Sequence, residues 1–298
     1  MNWLQAHVLT DAERAGEVES ALAAIGALSV TLGDAADEPV LEPAPGETPL
    51  WRDTVVTGLF EEGAGPEALA ARVVAALGAS SDRPVRVERL ADQVWERAWL
   101  DHFRPMRFGG RLWVVPGGQA VDLGAGEVAI ALDPGLAFGT GTHPSTALCL
   151  EWLAAQALDG RDVIDFGCGS GILAVAALRL GARRAVAVDH DPQALLATRE
   201  NAERNGVDGR LDVRSDRDTV PPAAPIVVAN ILAGTLAALA PRIAALVAPG
   251  GRLALAGILT AQAGDVVAAY RGAAGSGAID LAVVAERDGW VLLAGTRG

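Results

Sequence analysis

The sequence predicts an α/β protein with two domains, and three observations carry that prediction. An apolar run at residues 163–166 meets three alternate glycines and then an Ala- and Leu-rich stretch, the pattern of a strand that turns tightly into a helix. Residues 1–92 follow the order β-α-β-β-α-β, which is typical of a ferredoxin-like domain. A chain of 298 residues with 51% hydrophobic residues is long enough for two buried cores.

The first domain is predicted to be α+β, with strands at 3–9, 28–32, 53–60 and 85–90 and helices at 12–25 and 66–77. It carries no constellation of catalytic residues, so we expect a role in recognition or packing. Residues 93–120 are predicted to link the domains. They include most of a helix at 91–100 with Trp95 and Trp99 on one face, which favours packing between domains over stacking on a ligand, and a strand at 111–116 bounded by glycine turns.

The second domain, residues 121–298, is predicted to hold a seven-stranded, mostly parallel sheet with helices on both faces. A strand is expected at 128–132, before the sheet. The strands of the sheet are expected at 163–166, 185–189, 211–214, 225–232 and 252–257, followed by a hairpin of 279–285 with 290–294. Its helices are expected at 147–158, 172–178, 191–206, 234–247 and 260–270. The antiparallel last strand distinguishes this order from a pure dinucleotide-binding fold.

The glycine pattern after the first of these central strands indicates the ligand. Gly167 and Gly169 allow a sharp turn and a close approach of the backbone, but their spacing is G-x-G-x-G and not the dinucleotide pattern G-x-G-x-x-G. Asp165 could meet an ammonium group, and Asp189, at the end of the next strand, could accept hydrogen bonds from both ribose hydroxyls. These features favour a cationic adenosine ligand without phosphate, S-adenosyl-L-methionine, over NAD.

A second glycine-rich loop, residues 133–146, precedes the nucleotide-type strand and leads into a helix. We expect it to close over the ligand, with Thr140 and Thr146 supplying hydroxyl groups and Thr142 or His143 near the helix cap. The alternative is an ordinary turn with an exposed His143. The strand at 225–232 is apolar except for Asn230, which should therefore lie at the carboxyl edge of the sheet, where open α/β folds bind ligands.

Charge and composition limit the partners and the location. The net charge is −13, and residues 1–100 contribute −10 of it because they hold 17 acids and 7 arginines. This acidity serves either solubility or docking of a basic partner, and it argues against nucleic acid or a membrane as the main partner. The start lacks a secretory signal, prolines interrupt the uncharged window 219–241, and Cys149 and Cys168 have no metal-ligand spacing. We expect a cytoplasmic protein with reduced cysteines and no metal site.

Four segments, residues 95–99, 132–144, 163–171 and 228–232, resemble the PrmA family, ribosomal protein methyltransferases that act on protein eleven of the large subunit. The resemblance covers nearly the whole chain. It implies a class I S-adenosyl-L-methionine-dependent domain that binds the cofactor through Thr146, Gly167, Asp189 and Asn230, preceded by a domain that grips the substrate. It also implies trimethylation of the N-terminal α-amine and of lysine side chains. The chain departs from the Asn/Asp-Pro-Pro-aromatic signature of many amine methyltransferases, since Ile231 and Leu232 follow Asn230.

Methyl transfer to an amine needs alignment more than covalent catalysis, so we assign Asn230 the role of positioning the amine and leave the general base unassigned, with His143 one proton acceptor to consider. Three other functions stay open from the sequence. The first is a methyltransferase that acts on another protein, on a small amine or on nucleic acid. The second is an NAD-dependent oxidoreductase. The third is a non-catalytic ribosome-assembly binder that holds the cofactor only structurally.

Overall fold

The computed structural model describes residues 3–36, 50–63, 65–78, 85–90, 104–117, 119–132, 142–218, 220–273 and 278–298. The chain divides into two compact units, Met1–Trp99 and Leu100–Gly298. The predicted helix with Trp95 and Trp99 lies outside the described residues. The domain boundary at residue 92 therefore stays a prediction.

The first unit is a four-stranded antiparallel sheet with two helices on one face. In chain order its elements are β1 (Trp3–Asp11), α1 (Ala15–Ala24), β2 (Ser29–Asp34), β3 (Asp53–Glu61), α2 (Pro66–Leu77) and β4 (Val85–Leu90). The strands lie in the order β2-β3-β1-β4. Every second residue of β1 and β3 is buried, as expected of a sheet that helices cover on one face only. The predicted ferredoxin-like arrangement is confirmed.

The second unit begins with a small sheet of three strands, β5 (Met106–Phe108), β6 (Leu112–Val115) and β7 (Val128–Ala131). The strand predicted at 111–116 is confirmed as β6, although the sequence analysis assigned it to a linker, and β5 was not predicted. Leu112 and Ile130 of this sheet are fully buried and belong to the same hydrophobic core as Leu150. Residues 104–117 are therefore an integral layer of the second unit.

The main sheet of the second unit has seven strands. They are β8 (Asp162–Phe166), β9 (Arg184–Asp189), β10 (Leu211–Ser215), β11 (Ala224–Asn230), β12 (Val247–Leu259), β13 (Ala282–Arg287) and β14 (Trp290–Thr296). Their spatial order is β10-β9-β8-β11-β12-β14-β13, and only the pairs that include β14 are antiparallel. This order is that of a class I methyltransferase fold, and the predicted fold class is confirmed.

Helices cover both faces of this sheet, which explains why β8 and β11 are apolar along most of their length. The helices are α3 (Pro144–Ala154), α4 (Ile172–Arg179), α5 (Pro192–Arg204), α6 (Ala233–Ala238), α7 (Ala240–Ala245) and α8 (Ala263–Gly272). One predicted helix, 234–247, is instead two short ones. Pro241 lies in the first turn of α7, where the missing N–H is tolerated but a continuous helix is not.

The strand order reverses between β9 and β11, on either side of β8, so a crevice opens at the carboxyl ends of these strands. The described part of the uncharged window, residues 220–241, lies next to it and forms a loop, β11, α6 and the first residues of α7. No helix in the described part of the chain is long and apolar enough to cross a membrane.

Candidate active site

A cavity of about 830 Å³ opens at the carboxyl edge of the main sheet. Its described lining includes residues that end or directly follow three neighbouring strands, namely Gly167 after β8, Asp189 at the end of β9 and Asn230 at the end of β11. A volume of this size is typical of sites for small molecules and cofactors. The crevice is therefore the place to look for the predicted ligand.

A turn of glycines forms one wall of the cavity. Gly167, Gly169 and Gly171 all have positive φ angles, of 76°, 54° and 76°. A Cβ on Gly167 would lie 2.2 Å from Cγ2 of Ile231, so no larger residue fits there. The N–H groups of Gly167 and Cys168 both donate to the carbonyl of Val188, at 2.7 and 3.1 Å, which ties the turn to β9.

Two side chains of helix α5 form hydrogen bonds with carbonyl groups of the same turn. The sequence analysis singled out neither of them. The Thr198 hydroxyl donates to the carbonyl of Gly169 at 3.0 Å, and the Asn201 amide donates to that of Ser170 at 2.8 Å. Both side chains are buried. Two polar residues three apart on the buried face of a helix are a signal that could have found them.

Asp189 holds its carboxylate at the cavity through backbone contacts. Oδ2 accepts a hydrogen bond from the N–H of Gly169 at 2.9 Å, and Oδ1 accepts one from the N–H of Asp191 at 3.0 Å. The residue is only 9% exposed. A carboxylate oxygen can accept more than one hydrogen bond, so both oxygens keep capacity for a ligand.

Asp165 lies elsewhere than the sequence led us to expect. It is fully buried and does not line the cavity, and its Oδ2 accepts a hydrogen bond from the N–H of Ala174 in the first turn of α4. Burial is the main cause that raises the pKa of this carboxyl to about 7; the nearby charge of Asp189 adds to the rise, and the Ala174 hydrogen bond opposes it. The expected contact with a ligand ammonium is therefore wrong, and Asp165 acts as a helix cap.

Asn230 and Thr146, which the sequence placed in separate elements, meet at the cavity. The Asn230 amide nitrogen donates to the Thr146 hydroxyl at 3.1 Å, and both residues line the cavity. This bond fixes the side-chain plane of Asn230, whose Oδ1 lies beside Gly257. Thr140, the other predicted hydroxyl, lies outside the described residues together with residues 133–141.

His143 caps helix α3 and is not placed to act as a base. Its Nδ1 accepts the N–H of Ser145 at 3.3 Å and lies 2.7 Å from the Ser145 hydroxyl. Burial lowers the pKa of the imidazole, so the ring is neutral near pH 7 and carries its proton on Nε2. The ring of Trp290 meets His143 edge to face, with centroids 4.6 Å apart, and both line the cavity.

Asp216, directly after β10, is a cavity residue that the sequence analysis missed. Its Oδ1 is buried and has no hydrogen-bond partner among the described residues, while Oδ2 lies 3.7 Å from the guanidinium of Arg242. An acid directly after the third central strand repeats the pattern of Asp189 at the end of the second, and that repetition was the available signal.

The donors and acceptors of the cavity fit S-adenosyl-L-methionine. Acidic acceptors come from two strand ends, glycines allow close approach, and no arginine lines the cavity in the described part of the chain, so no guanidinium there could pair with a phosphate. Across the same described residues, no group of three or more His, Cys, Asp or Glu side chains could hold a metal ion.

Comparisons with known proteins identify the family of the chain. The family model described as "Ribosomal protein L11 methyltransferase (PrmA)" matches residues 2–298. Curated ribosomal protein L11 methyltransferases from Azotobacter vinelandii and from Pseudomonas aeruginosa strain LESB58 are 54% and 53% identical, each over 100% of this chain and 100% and 99% of their own. A crystal structure of a ribosomal protein L11 methylase from Lactobacillus delbrueckii subsp. bulgaricus shares 27% identity with a TM-score of 0.56, and covers 65% of this chain and 98% of that one. The chain belongs to the ribosomal protein L11 methyltransferase family, PrmA, which confirms the predicted family, enzyme class and cofactor.

Proposed function

We propose that this enzyme transfers methyl groups from S-adenosyl-L-methionine to lysine side chains and the N-terminal α-amine of ribosomal protein L11, up to the trimethyl state. The observation that carries this proposal is the Asn230–Thr146 pair, an oriented amide at the edge of a cavity that fits the cofactor. The substrate is the one for which the full-length relatives are named. A ribosomal protein substrate also supports a cytoplasmic location.

Six residues hold the cofactor in this proposal. Gly167 and Gly169 let it approach the backbone of the turn, Asp189 accepts hydrogen bonds from the ribose, and the Oδ1 of Asp216 accepts one from the adenine amino group. Thr140 and Thr146 contribute hydroxyls, and Thr146 does so from the first turn of α3. The bound cofactor supplies an electrophilic methyl group on a sulfonium centre.

The enzyme must also present a neutral amine, with its lone pair in line with the bond between the methyl carbon and the sulfur of the cofactor. A lysine of pKa ~10.4 is neutral in about one molecule in a thousand at pH 7.4, which costs roughly 4 kcal/mol, whereas an α-amine near 8 costs under about 1 kcal/mol. The amide of Asn230 donates to Thr146, so its carbonyl is the group that accepts a hydrogen bond from the amine and orients its lone pair. Trp290 supplies the aromatic wall that the segment after Asn230 lacks.

Neither His143 nor Asp165 is placed to take the proton of the amine. His143 accepts from Ser145 through Nδ1, and Asp165 does not reach the cavity. We infer that desolvation in the apolar cavity and the sulfonium charge lower the pKa of the incoming amine, and that its proton leaves to water before the transfer. In this mechanism the cavity residues align and desolvate the amine, and none of them forms a covalent bond with it.

The first unit recognises the substrate in this proposal. It holds most of the net negative charge of the chain and none of the cavity residues, and a basic protein partner is steered toward such a surface. The second unit then performs the same chemistry on whichever amine reaches it, which is how one cavity serves several amines.

Transfer of radiolabelled methyl groups is the direct test. Unmethylated L11 is incubated with the enzyme and methyl-labelled S-adenosyl-L-methionine, alongside a second basic ribosomal protein and a free amine such as lysine. We expect label in L11 alone, with mass spectrometry placing it on lysine and α-amine nitrogens. Label in the free amine at a comparable rate favours a small-amine enzyme, and cofactor binding without any transfer favours a non-catalytic binder.

A further inference from the structure

A second, smaller cavity opens on the second unit, and we call it the rear cavity. It has a volume of about 350 Å³ and shares none of its described lining residues with the active-site cavity. Its lining comes from β6, β7, the segment between them and the last residues of α4 and α5. Helix α4 joins the two cavities, because Ile172 at its beginning lines the first and Arg179 at its end lines the second. A cavity of this size is large enough for a small organic ligand.

The rear cavity is lined by two arginines and, among the described residues, by no acid. Arg179 lies in the last turn of α4 and Arg204 in the last turn of α5. A guanidinium carries five N–H donors in a planar fork, which matches the two oxygens of a carboxylate. Both helices end here, and the negative end of a helix dipole disfavours anions, so a singly charged carboxylate suits this cavity better than a doubly charged phosphate.

Most of the other lining residues of the rear cavity are apolar. Val115 at the end of β6 is buried, Val121 is half-buried, and Leu123 is 46% exposed. Ala129 and Ala131 of β7 complete this wall, and their small side chains leave room for a ligand. An apolar wall with two cationic groups suits an amphipathic molecule, namely a carboxylate attached to a short aliphatic chain.

Hydrogen bonds hold the wall of the rear cavity in one arrangement without a ligand. The side chain of Asn205 accepts from the N–H of Ala131 at 2.8 Å and donates to the carbonyl of the same residue at 2.8 Å. Nε of Arg179 donates to the carbonyl of Ala129 at 3.1 Å. These three bonds join β7 to the ends of α4 and α5, so a ligand would bind with a small ordering cost.

Arg204 connects the rear cavity to the glycine turn through a single side chain. Its guanidinium donates to Oδ1 of Asn201 at 2.8 Å, and the Asn201 amide donates to the carbonyl of Ser170 at 2.8 Å. Ser170 lies within the glycine turn that lines the active-site cavity. A carboxylate bound to Arg204 would hold the guanidinium in place, and because bonds in such a chain strengthen one another, it would stabilise the turn.

We propose that the rear cavity is a second ligand site, which binds a small organic carboxylate with an aliphatic chain, and that its occupant strengthens cofactor binding through Arg204, Asn201 and Ser170. The site is separate from the chemistry of methyl transfer and from the protein substrate. Linkage between two sites is reciprocal, so the cofactor strengthens binding of the carboxylate by the same factor.

The test uses the full chain with hexanoate as the probe. Calorimetric titrations measure the Kd of S-adenosyl-L-methionine at a series of hexanoate concentrations, with chloride keeping the ionic strength constant. We expect this Kd to fall at least about threefold at saturation, and the melting temperature of the cofactor-free enzyme to rise. Acetate, which lacks the chain, and hexan-1-ol, which lacks the charge, should each change the Kd less than about 1.5-fold at the same concentrations.

Two matched pairs of variants locate the effect. Arg179→Gln removes a guanidinium from the rear cavity, and Arg199→Gln removes an exposed one from α5 that is absent from the described lining of both cavities. Leu123→Ser shortens the apolar wall, and Leu196→Ser removes a leucine of α5 that is 57% exposed. The first member of each pair should need at least about fivefold more hexanoate for half of the effect, and the second less than about twofold more.

Three outcomes would overturn the rear site. A rise of the cofactor Kd with hexanoate would mean that hexanoate competes in the active-site cavity. An unchanged Kd, or equal effects in the two members of each pair, would leave Arg179 and Arg204 as charges that only stabilise the ends of their helices. None of these measurements uses L11 or methyl transfer, so failure of the rear site and failure of the proposed function are distinguishable.

Discussion

The two units place their polar side chains in opposite ways. In the second unit, Asp165, Thr198 and Asn201 are buried, and each is hydrogen-bonded to the backbone near the glycine turn. In the first unit, the charged residues of the sheet, such as Asp53 and Glu61, lie on the surface. Buried polar groups fix a geometry at the cost of desolvation, while exposed charges act at a distance and are screened by salt.

This difference suggests a division of labour. A turn that is held by α5, β9 and α4 presents the cofactor in one position, which a transfer along a line requires. A charged surface tolerates several orientations of a partner, which the proposed methylation of several amines requires. Variants and conditions that change one unit at a time test whether each unit has its assigned role.

The largest expected effect concerns the buried charge of Asp165. Its pKa of about 7 lies above the ordinary value of 3.8, so the folded state binds a proton that the unfolded state has lost between those pH values. The proton on Asp165 stabilises the folded state by up to about 4 kcal/mol. This stabilisation is complete below about pH 4 and is lost as the pH rises through 7. Asp165→Asn stays neutral and keeps an acceptor for Ala174.

We therefore expect Asp165→Asn to melt at a higher temperature than the native enzyme at pH 8, with a difference that shrinks toward pH 5. Calorimetric scans at four pH values measure it. Asp162→Asn, at an exposed carboxylate paired with Arg183, is the control, and we expect it to be slightly less stable at pH 8. A destabilised Asp165→Asn protein at every pH would show that the carboxyl is needed as a charge.

Removal of the first unit tests whether that unit recognises the substrate. A protein shortened to residues 104–298 keeps the cavity-lining residues, so its cofactor affinity should stay within about twofold of the full chain. Its kcat/KM on L11 should fall at least about 100-fold, which is roughly 2.7 kcal/mol, because nothing directs the substrate. Full turnover of L11 by the shortened protein would show that the first unit does not recognise the substrate.

Asn230→Ala tests whether alignment limits the chemistry. If the carbonyl orients the amine, kcat should fall about 30-fold, roughly 2 kcal/mol, with little change in cofactor affinity. Lysines must also be deprotonated, so their methylation should fall further than that of the α-amine and recover more when the pH is raised toward 9. Mass spectrometry of the products at two pH values measures both losses.

Thr146→Val is the matched control for that variant. It removes the hydrogen bond that fixes the side-chain plane of Asn230 but retains the Asn230 carbonyl, which can still accept a hydrogen bond from the amine in part of its orientations. We expect a smaller loss of kcat than in Asn230→Ala. Equal losses at every amine, together with a lower melting temperature, would mean that Asn230 only satisfies neighbouring groups.

Asp189→Ala should weaken cofactor binding at least about tenfold, or roughly 1.4 kcal/mol, because it removes the acceptor for the ribose and for the N–H of Gly169. Isothermal titration calorimetry measures the Kd. Asp191→Ala is the control, since it removes the cap of α5, which accepts from Gln193 at 2.9 Å, without touching the cavity lining. Unchanged affinity of Asp189→Ala would refute the ribose assignment.

Local patterns made much of this molecule predictable. The turn at Gly167, the strand that ends in Asp189 and the cap of α5 by Asp191 each depend on residues within a few positions of one another. The same holds for the six elements of the first unit, where alternation and helical spacing are both clear. Pro241, which divides α6 from α7, was a local signal too, but the sequence analysis extended the helix across it.

Contacts between distant segments were not predictable in the same way. Asp165 lies in a strand that is buried on both faces, so the sequence could not tell whether it faced the ligand or the first turn of α4. The fastening of the turn by Thr198 and Asn201 depends on the rotation of α5 about its axis, which only the packed structure fixes. Functional groups of the cavity were thus easier to find than the groups that hold them.

The smallest expected effect is that of salt, and it separates the two units without any mutation. Raising ionic strength from about 0.05 to 0.5 M shortens the Debye length from about 14 to about 4 Å, so attraction between the acidic first unit and a basic substrate weakens. We expect kcat/KM for L11 to fall several-fold while cofactor affinity changes less than about twofold, because the Asp189 carboxylate is buried beside its backbone donors and is screened little.

Rate measurements over the salt series give the dependence of kcat/KM on ionic strength, and calorimetry gives that of cofactor affinity. In Asp53→Arg, kcat/KM should depend less on salt than in the native enzyme. A flat profile for L11 in the native enzyme would leave apolar contact, and not charge, as the basis of docking.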